Sequence, residues 1–337
     1  MTGCTLVFGM PRSGTTWIGK LFDSHPNTLY RHEPDSVKQL GMPLFPDKQD
    51  AARFRDELQK FVAALPKVRS VKVVGKQPLF AKCFQSRISL TAYKTSVFAA
   101  KVAGHVWRDF PCIYRPAPDS GHARLVWKSI ESAGRLGVCL EALPSALAIH
   151  LMRHPCGYVA SVMRGEAARR FTSKTSSADD LWVLKRLLET KTGRSRGIDI
   201  GDIKQLTPEE RLAWRWLLIH EKILADVEGS TRVLSVRYED VCADPFAMTQ
   251  RMFEFTKLGW HSQTEAFVRA STQPPRGLTD TDYYSVFKSP QISAERWRTE
   301  LAPEVIERVL RVVRSSPLHR YYPDEARTPT TVAEAAT

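Results

Sequence analysis

Two hydrophobic rhythms alternate at the start of the chain. "CTLVFGM" is a short unbroken apolar run ending in Gly-Met-Pro, the pattern of a parallel strand buried on both faces. From Thr16 the apolar residues Trp17, Ile18, Leu21 and Phe22 recur at helical spacing, and "SHP" stops the helix. The opening is therefore a strand–loop–helix unit. Phe54, Leu58, Phe61, Val62 and Leu65 mark one face of an amphipathic helix over 50–65, and "SVKVVG" (70–75) predicts a second strand. "RLVW" (124–127) predicts a buried strand that delivers Lys128 and Ser129 at its carboxyl end. "SALAIHLM" (145–152) predicts another, delivering Arg153, with a short helix in "GYVASVMRG".

Later elements are marked by their ends. "TPEERLAWRWLLIHEKILADVEG" predicts a helix with Thr207 as N-cap, Pro208 in the first position and Glu210 completing a capping box. "TRVLSVRYED" is a further strand with a polar end, "PFAMTQRMFEFTKLG" a helix closed by Gly259, and "APEVIERVLRVVRS" the last helix. Residues 77–124 are basic, with aromatics and prolines and no clear order. Residues 166–206 are polar, with Gly193, Gly197 and Gly201, and predict an inserted lid or mobile segment. The tail 323–337 is expected to be disordered. Strands alternating with helices predict an α/β fold, a three-layer sandwich around a central mostly parallel sheet, in one domain over 1–322. Ligands of such sheets gather at the carboxyl ends of the strands, where Arg12, Lys128, Arg153 and Tyr238 fall.

Composition adds one constraint. The 337 residues are ordinary in being 43% hydrophobic and 25% charged, but 49 Lys and Arg against 36 Asp and Glu give a net charge of +13. Such a field draws anions: a nucleotide, an anionic polysaccharide, nucleic acid or a lipid headgroup. The six cysteines stand at no metal-ligand spacing, which speaks against a zinc site. No run reaches membrane-spanning length, and the first apolar run begins at Thr5, so a cytoplasmic location without a signal sequence is expected.

The sharpest chemistry lies in "GMPRSGTT" (9–16). A nucleotide-triphosphate loop carries G-x-x-x-x-G-K-[ST], with its lysine on the β/γ-phosphates and its hydroxyl on Mg²⁺. Gly9 and Gly14 keep the separation, but Thr15 stands in the lysine position and Thr16 follows. Backbone amides and the helix N-terminus still suit an anion, and the cation has moved to Arg12. No Walker-B-like acid follows, which lowers a kinase reading and favours a metal-free anion transfer. A basic nucleic-acid binder would cluster its cations with aromatics, whereas here they are dispersed.

The pattern P-[KR]-S-G-T-T-W resembles the sulfotransferases that use 3′-phosphoadenosine-5′-phosphosulfate (PAPS) and release the desulfated product PAP. The resemblance implies a P-loop-type sandwich in which Arg12, Ser13, Gly14, Thr15 and Thr16 grip the 5′-phosphosulfate without a metal. It also implies a 3′-phosphate site, and "RHPCGYVAS" supplies Arg153 and Ser161 at the family's spacing. His154 and Cys156 depart from the usual aspartate and arginine there; Arg164 is a further possible contact. "VRYED" makes Tyr238 a candidate for stacking near adenine. "RWRTEL" makes Arg298, with Lys288 or Ser289, a candidate to close over the nucleotide.

The resemblance further implies a hydroxyl acceptor and a base. Glu33 in "YRHEP" is the favoured base and His32 its competitor, since some branches use a histidine. Arg12 would stabilise the leaving phosphate and Lys128 the sulfuryl oxygens. The arginine-type loop and "HEP" lean toward the carbohydrate and tyrosylprotein branches. A carbohydrate acceptor is therefore expected, with a tyrosyl or small-molecule hydroxyl as the alternative and no nucleic-acid partner. Residues 38–124 and 166–206 are expected to shape its pocket.

Overall fold

Every side chain of the strand Cys4–Gly9 is buried, because it is covered by helices on both faces. The structure is a computed structural model that describes residues 3–104, 111–113, 123–168, 176–273 and 290–323. Lys288, Ser289 and the tail from Asp324 lie outside the described residues. In chain order come β1 (Cys4–Gly9), α1 (Thr15–Ser24), β2 (Thr28–His32), α2 (Ala51–Ala64), α3 (Val71–Val74) and α4 (Arg87–Ala103). Next are β3 (Arg124–Ser129), α5 (Leu136–Ala142), β4 (Leu147–Met152) and α6 (Pro155–Ala167). Then follow α7 (Leu181–Leu188), α8 (Lys191–Arg194), α9 (Ile200–Gln205), α10 (Pro208–Asp226) and β5 (Val233–Arg237). The chain ends in α11 (Tyr238–Ala243), α12 (Pro245–Phe255), α13 (Ser262–Thr272), α14 (Pro290–Glu295), α15 (Trp297–Glu300) and α16 (Pro303–Arg314).

The five strands form one sheet in the order β2-β3-β1-β4-β5, and every pairing is parallel. Leu6, Phe8, Leu125 and Trp127 face a layer that includes α2, α5, α6, α10 and α16. Val7, Val126, Ile149 and Val236 face α1, α12 and α13. The register places His32 beside Lys128, Gly9 beside Leu151 and Met152 beside Arg237. All strands therefore end on one edge; the β1–β2 connection runs to one side of β1 and the β3–β4 connection crosses to the other, which opens a crevice beyond the carboxyl end of β1.

Two sequence expectations change, and one strand stands where the sequence marked none. The "SVKVVG" segment is not a strand: Val73 and Val74 both enter a small cluster with Tyr93, Val97, Ala100 and Cys112. Adjacent strand residues point to opposite faces, so only a helical turn buries both on one side. The amides of Val73 and Val74 donate to the Ser70 carbonyl, each at 3.0 Å, and close that turn. The helix α12 is closed by Lys257 in a left-handed conformation (φ 57°), with the Leu258 amide donating to the Phe253 carbonyl at 2.8 Å, rather than by Gly259. The edge strand β2, unmarked by any apolar run, contains the buried Arg31, whose guanidinium donates to the carbonyls of Leu65, Tyr30 and Pro66.

The described part of 166–206 folds into α7–α9, and Val183, Leu184, Leu187 and Ile203 join the core beside α10. The capping box at α10 is present, with the Thr207 amide donating to Glu210 Oε2 at 3.0 Å. Among the described residues no helix is long and apolar enough to cross a membrane.

Candidate functional site

The loop between β1 and α1 is wound by two left-handed residues, Arg12 (φ 70°) and Gly14 (φ 87°). Only glycine fits at 14, because a Cβ there would lie 2.4 Å from the Tyr238 ring. The first helical amides after Gly14 have no acceptor within α1, so they face the crevice as anion donors. Ser13 Oγ is buried and has no hydrogen-bond partner. A buried hydroxyl left unpaired costs about 1–3 kcal/mol, which makes Ser13 a candidate to meet a ligand oxygen.

The two sequence motifs meet directly. Arg12 Nε donates to Ser161 Oγ at 3.1 Å, and Arg153 Nη1 donates to the Arg12 carbonyl at 2.9 Å. Arg153 Nη2 donates to the Ser293 carbonyl at 2.7 Å, and its guanidinium lies 4.9 Å from the Tyr238 ring centroid. Its Nε is buried without a partner, a second orphaned donor in the same crevice. The unpaired donors of Ser13 and Arg153, flanking Arg12, fit a phosphate-bearing ligand.

The departures from the family pattern have a local explanation. His154 Nδ1 accepts from the Cys156 amide at 3.2 Å, so the histidine caps α6 as an aspartate would. Its ring stacks on Trp297 at 4.3 Å. Burial, together with the charges of Arg298, Arg153 and Arg237, pulls its pKa down to about 3, so the cap is neutral. Glu239 Oε1 accepts the His154 amide at 2.9 Å, and burial pushes that carboxyl's pKa up.

On the other side of β1, Glu33 follows β2 in a left-handed conformation (φ 46°), and its amide donates to the Lys128 carbonyl at 2.8 Å. Arg12, Glu33 and Lys257 are the non-glycine residues with positive φ among those described. Two of the three thus sit at the candidate site, where backbone strain of about 1–3 kcal/mol per residue is tolerated for function. Lys128 Nζ donates to Glu33 Oε1, and burial lowers the ammonium's pKa while Glu33 opposes that. His32 Nδ1 contacts the Tyr30 hydroxyl at 2.9 Å, and Nε2 lies 3.8 Å from Glu33 Oε1. Burial and the charges of Lys128, Lys76 and Lys20 bring His32 down to about 2, so it is neutral.

Several supports carry no sequence motif. Asp35 is buried and accepts from Ser132 Oγ at 2.6 Å, from Ser129 Oγ, and from Trp127 Nε1 at 3.3 Å. It ties the turn bearing Glu33 to the end of β3, and its only signal is its place in "HEPDS". Below the site, Asp23 pairs with Lys20 and Lys82, and Lys20 Nζ also donates to the Lys76 carbonyl at 2.8 Å. Burial opposes ionisation of Asp23, but the two ammoniums hold its carboxyl below the usual range.

The remaining predicted residues are less central. Thr15 is buried, with its methyl group against Gly9, and Thr16 is half-buried in the first turn of α1. Tyr238 is buried against Gly14 and Arg153, edge-on to Trp17. Arg298 pairs with Glu295 and covers the Trp297 ring at 4.5 Å, while Arg164 pairs with Glu300.

Similar solved structures include the sulfotransferase domain from the curacin biosynthetic pathway, 15% identical over 94% of this chain and 97% of that one, with a TM-score of 0.44. The sulfotransferase domain from the Synechococcus PCC 7002 olefin synthase is 17% identical over 92% and 94%, with a TM-score of 0.43. Mouse sulfotransferase SULT7A1 complexed with PAP is 11% identical over 97% and 90%, with a TM-score of 0.43. No curated protein matches the chain. The model of the sulfotransferase family matches residues 5–262. The chain belongs to the sulfotransferase family, whose sulfuryl donor is PAPS.

Proposed function

We propose that this sulfotransferase acts on a carbohydrate hydroxyl, with Glu33 as base and Arg12 and Lys128 as the cations at the transferred group. The observation that carries the donor site is the hydrogen bonding of Arg12 to both Ser161 and Arg153, which unites the two phosphate motifs. PAPS supplies the sulfuryl group and PAP is the leaving product. Ser13, the amides at the start of α1 and Arg12 hold the 5′ end; Arg153 and Ser161 hold the 3′-phosphate. Tyr238 braces Gly14 and Arg153 from behind, and Arg298 closes the rim.

Glu33 is aimed by its hydrogen bond from Lys128, and it takes the acceptor's proton on a carboxylate oxygen. Lys128 then meets the charge that gathers on the oxygens as the acceptor approaches. His32 is a poor competitor. The Tyr30 hydroxyl occupies Nδ1, and a proton on Nε2 is the arrangement that leaves no lone pair facing the Glu33 carboxylate. The carbohydrate acceptor is supported by the resemblance of the arginine loop and "HEP" to those branches and by the net charge of +13. Residues 38–124 and 166–206 are our acceptor-site segments, the first because α3 packs beside β2.

Thermal unfolding tests the donor site. PAP without metal should raise Tm in proportion to log concentration, and ATP with Mg²⁺ should not. Stabilisation by ATP with Mg²⁺ but not by PAP overturns the assignment. A screen of hydroxyl acceptors with labelled PAPS then tests the carbohydrate.

A further inference from the structure

The inward side of α4 is fully accounted for: Tyr93, Val97 and Ala100 pack with Val73, Val74 and Cys112. Its outward side is not what a solvated helix carries. At about 100° per residue, Ile88, Phe98 and Val102 fall within an arc of about 80°, opposite the buried face, with the exposed Thr91 and Thr95 between Ile88 and Phe98 in the same arc. They are 84%, 70% and 55% exposed, three of the eight large hydrophobics exposed among the described residues. That concentration on one helix differs from the scattered apolar residues of ordinary surfaces.

Charge is arranged beside this strip. Arg87, Lys94 and Lys101 recur every seven residues, are all exposed, and fill an adjoining arc of about 40°. From Leu58 to Arg108 the chain has ten Lys and Arg and no Asp or Glu. Lys67, Arg69 and Lys72, just before and within α3, are exposed as well. The region therefore repels cations and offers nothing to a basic partner. Its apolar side chains protrude from a convex helix, which suits a fluid phase able to close around each of them. A face of large apolar side chains and threonines without charge, flanked by Lys and Arg, is the pattern of helices lying in a membrane interface.

We propose that α4 seats the protein on an anionic bilayer surface. Ile88, Phe98 and Val102 enter the boundary between headgroups and acyl chains, and Arg87, Lys94 and Lys101 meet the anionic headgroups. Because α3 and α4 lie on the β2 side of the sheet, the bound membrane lies on the side of the molecule that carries Glu33. The docking does not depend on the role of Glu33.

Co-sedimentation of the full chain with phosphatidylcholine vesicles carrying about 30% phosphatidylserine, beside pure phosphatidylcholine, tests this. Binding to the anionic vesicles alone is expected, and it should weaken as added salt shortens the Debye length. Lys94→Ala should weaken it about five-fold, and the combined Ile88→Ser, Phe98→Ser and Val102→Ser variant should abolish it. Both variants should keep the wild-type Tm shift with PAP, which shows that they are folded. No binding to anionic vesicles, or binding indifferent to both variants, overturns the proposal. So does a wild-type dimer in sedimentation equilibrium that the triple variant converts to monomer, since a second copy then covers the face.

Discussion

Replacing Lys128 by methionine separates the charge of this side chain from its packing. The Lys128 side chain is 1% exposed and ion-paired with Glu33, whose side chain is 23% exposed. Methionine fills the same narrow space with a flexible apolar chain. Breaking a fully buried pair costs about 3–5 kcal/mol because a charge is left stranded. Here the charge left behind reaches water, so the cost should stay below about 2 kcal/mol, and the lysine's own desolvation is relieved. The Tm should then move by no more than about 4 °C. Turnover should behave differently. Removing one preorganised charge at the reacting oxygens costs about 10²–10³-fold in kcat, or about 2.7–4 kcal/mol. Initial rates at saturating PAPS, with PAP affinity measured by calorimetry, separate the two effects. A Lys128→Met enzyme that keeps kcat within about threefold, or one that unfolds, would make Lys128 a structural residue and refute the reasoning.

Two other outcomes follow from buried groups. Ser13→Ala removes a buried hydroxyl with no partner, so stability without ligand should hold or rise by up to about 1 kcal/mol, while PAP binding weakens about tenfold; an unchanged PAP affinity sinks that contact. The buried His150 and His220 and the half-buried His32 and His154 are neutral: burial brings His32 from 6.5 to about 2, His150 and His154 to about 3, and His220 well below the ordinary value. The unfolded chain takes protons that the folded chain refuses, so stability is complete above about pH 6.5 and falls as pH drops toward about 3, by up to about 1.4 kcal/mol per pH unit for each histidine. Urea midpoints across that range measure the slope, which His220→Leu should make shallower; a flat profile contradicts it.

The elements of the proposed donor side were legible because their signals are local. A buried strand, a glycine that must be left-handed and a helix start all lie within residues 4–16, and Arg153 and Ser161 sit at one end of another strand–helix unit. Their contact across the molecule was not legible, because spacing along a chain does not report the distance between two loops. The proposed acceptor side was poorly legible for physical reasons. Arg31 hides β2 by placing a charge inside a buried strand, where backbone carbonyls satisfy it. In 70–75, valines that favour a strand in isolation are turned helical by the need to bury two neighbours on one side. His154 shows the converse: a residue outside the motif keeps the motif's geometry because its ring nitrogen accepts the capping hydrogen bond.

Glu33 as base, beside a donor site built from Arg12, Ser13, Arg153 and Ser161, is the centre of the proposed mechanism. Glu33→Gln keeps the shape and an acceptor oxygen for Lys128 but loses the basic carboxylate. PAPS-dependent transfer by this variant should fall about 10²–10⁴-fold, with PAP affinity within about twofold of wild type. Wild-type turnover, or a loss of PAP affinity as large as the loss of turnover, contradicts the assignment.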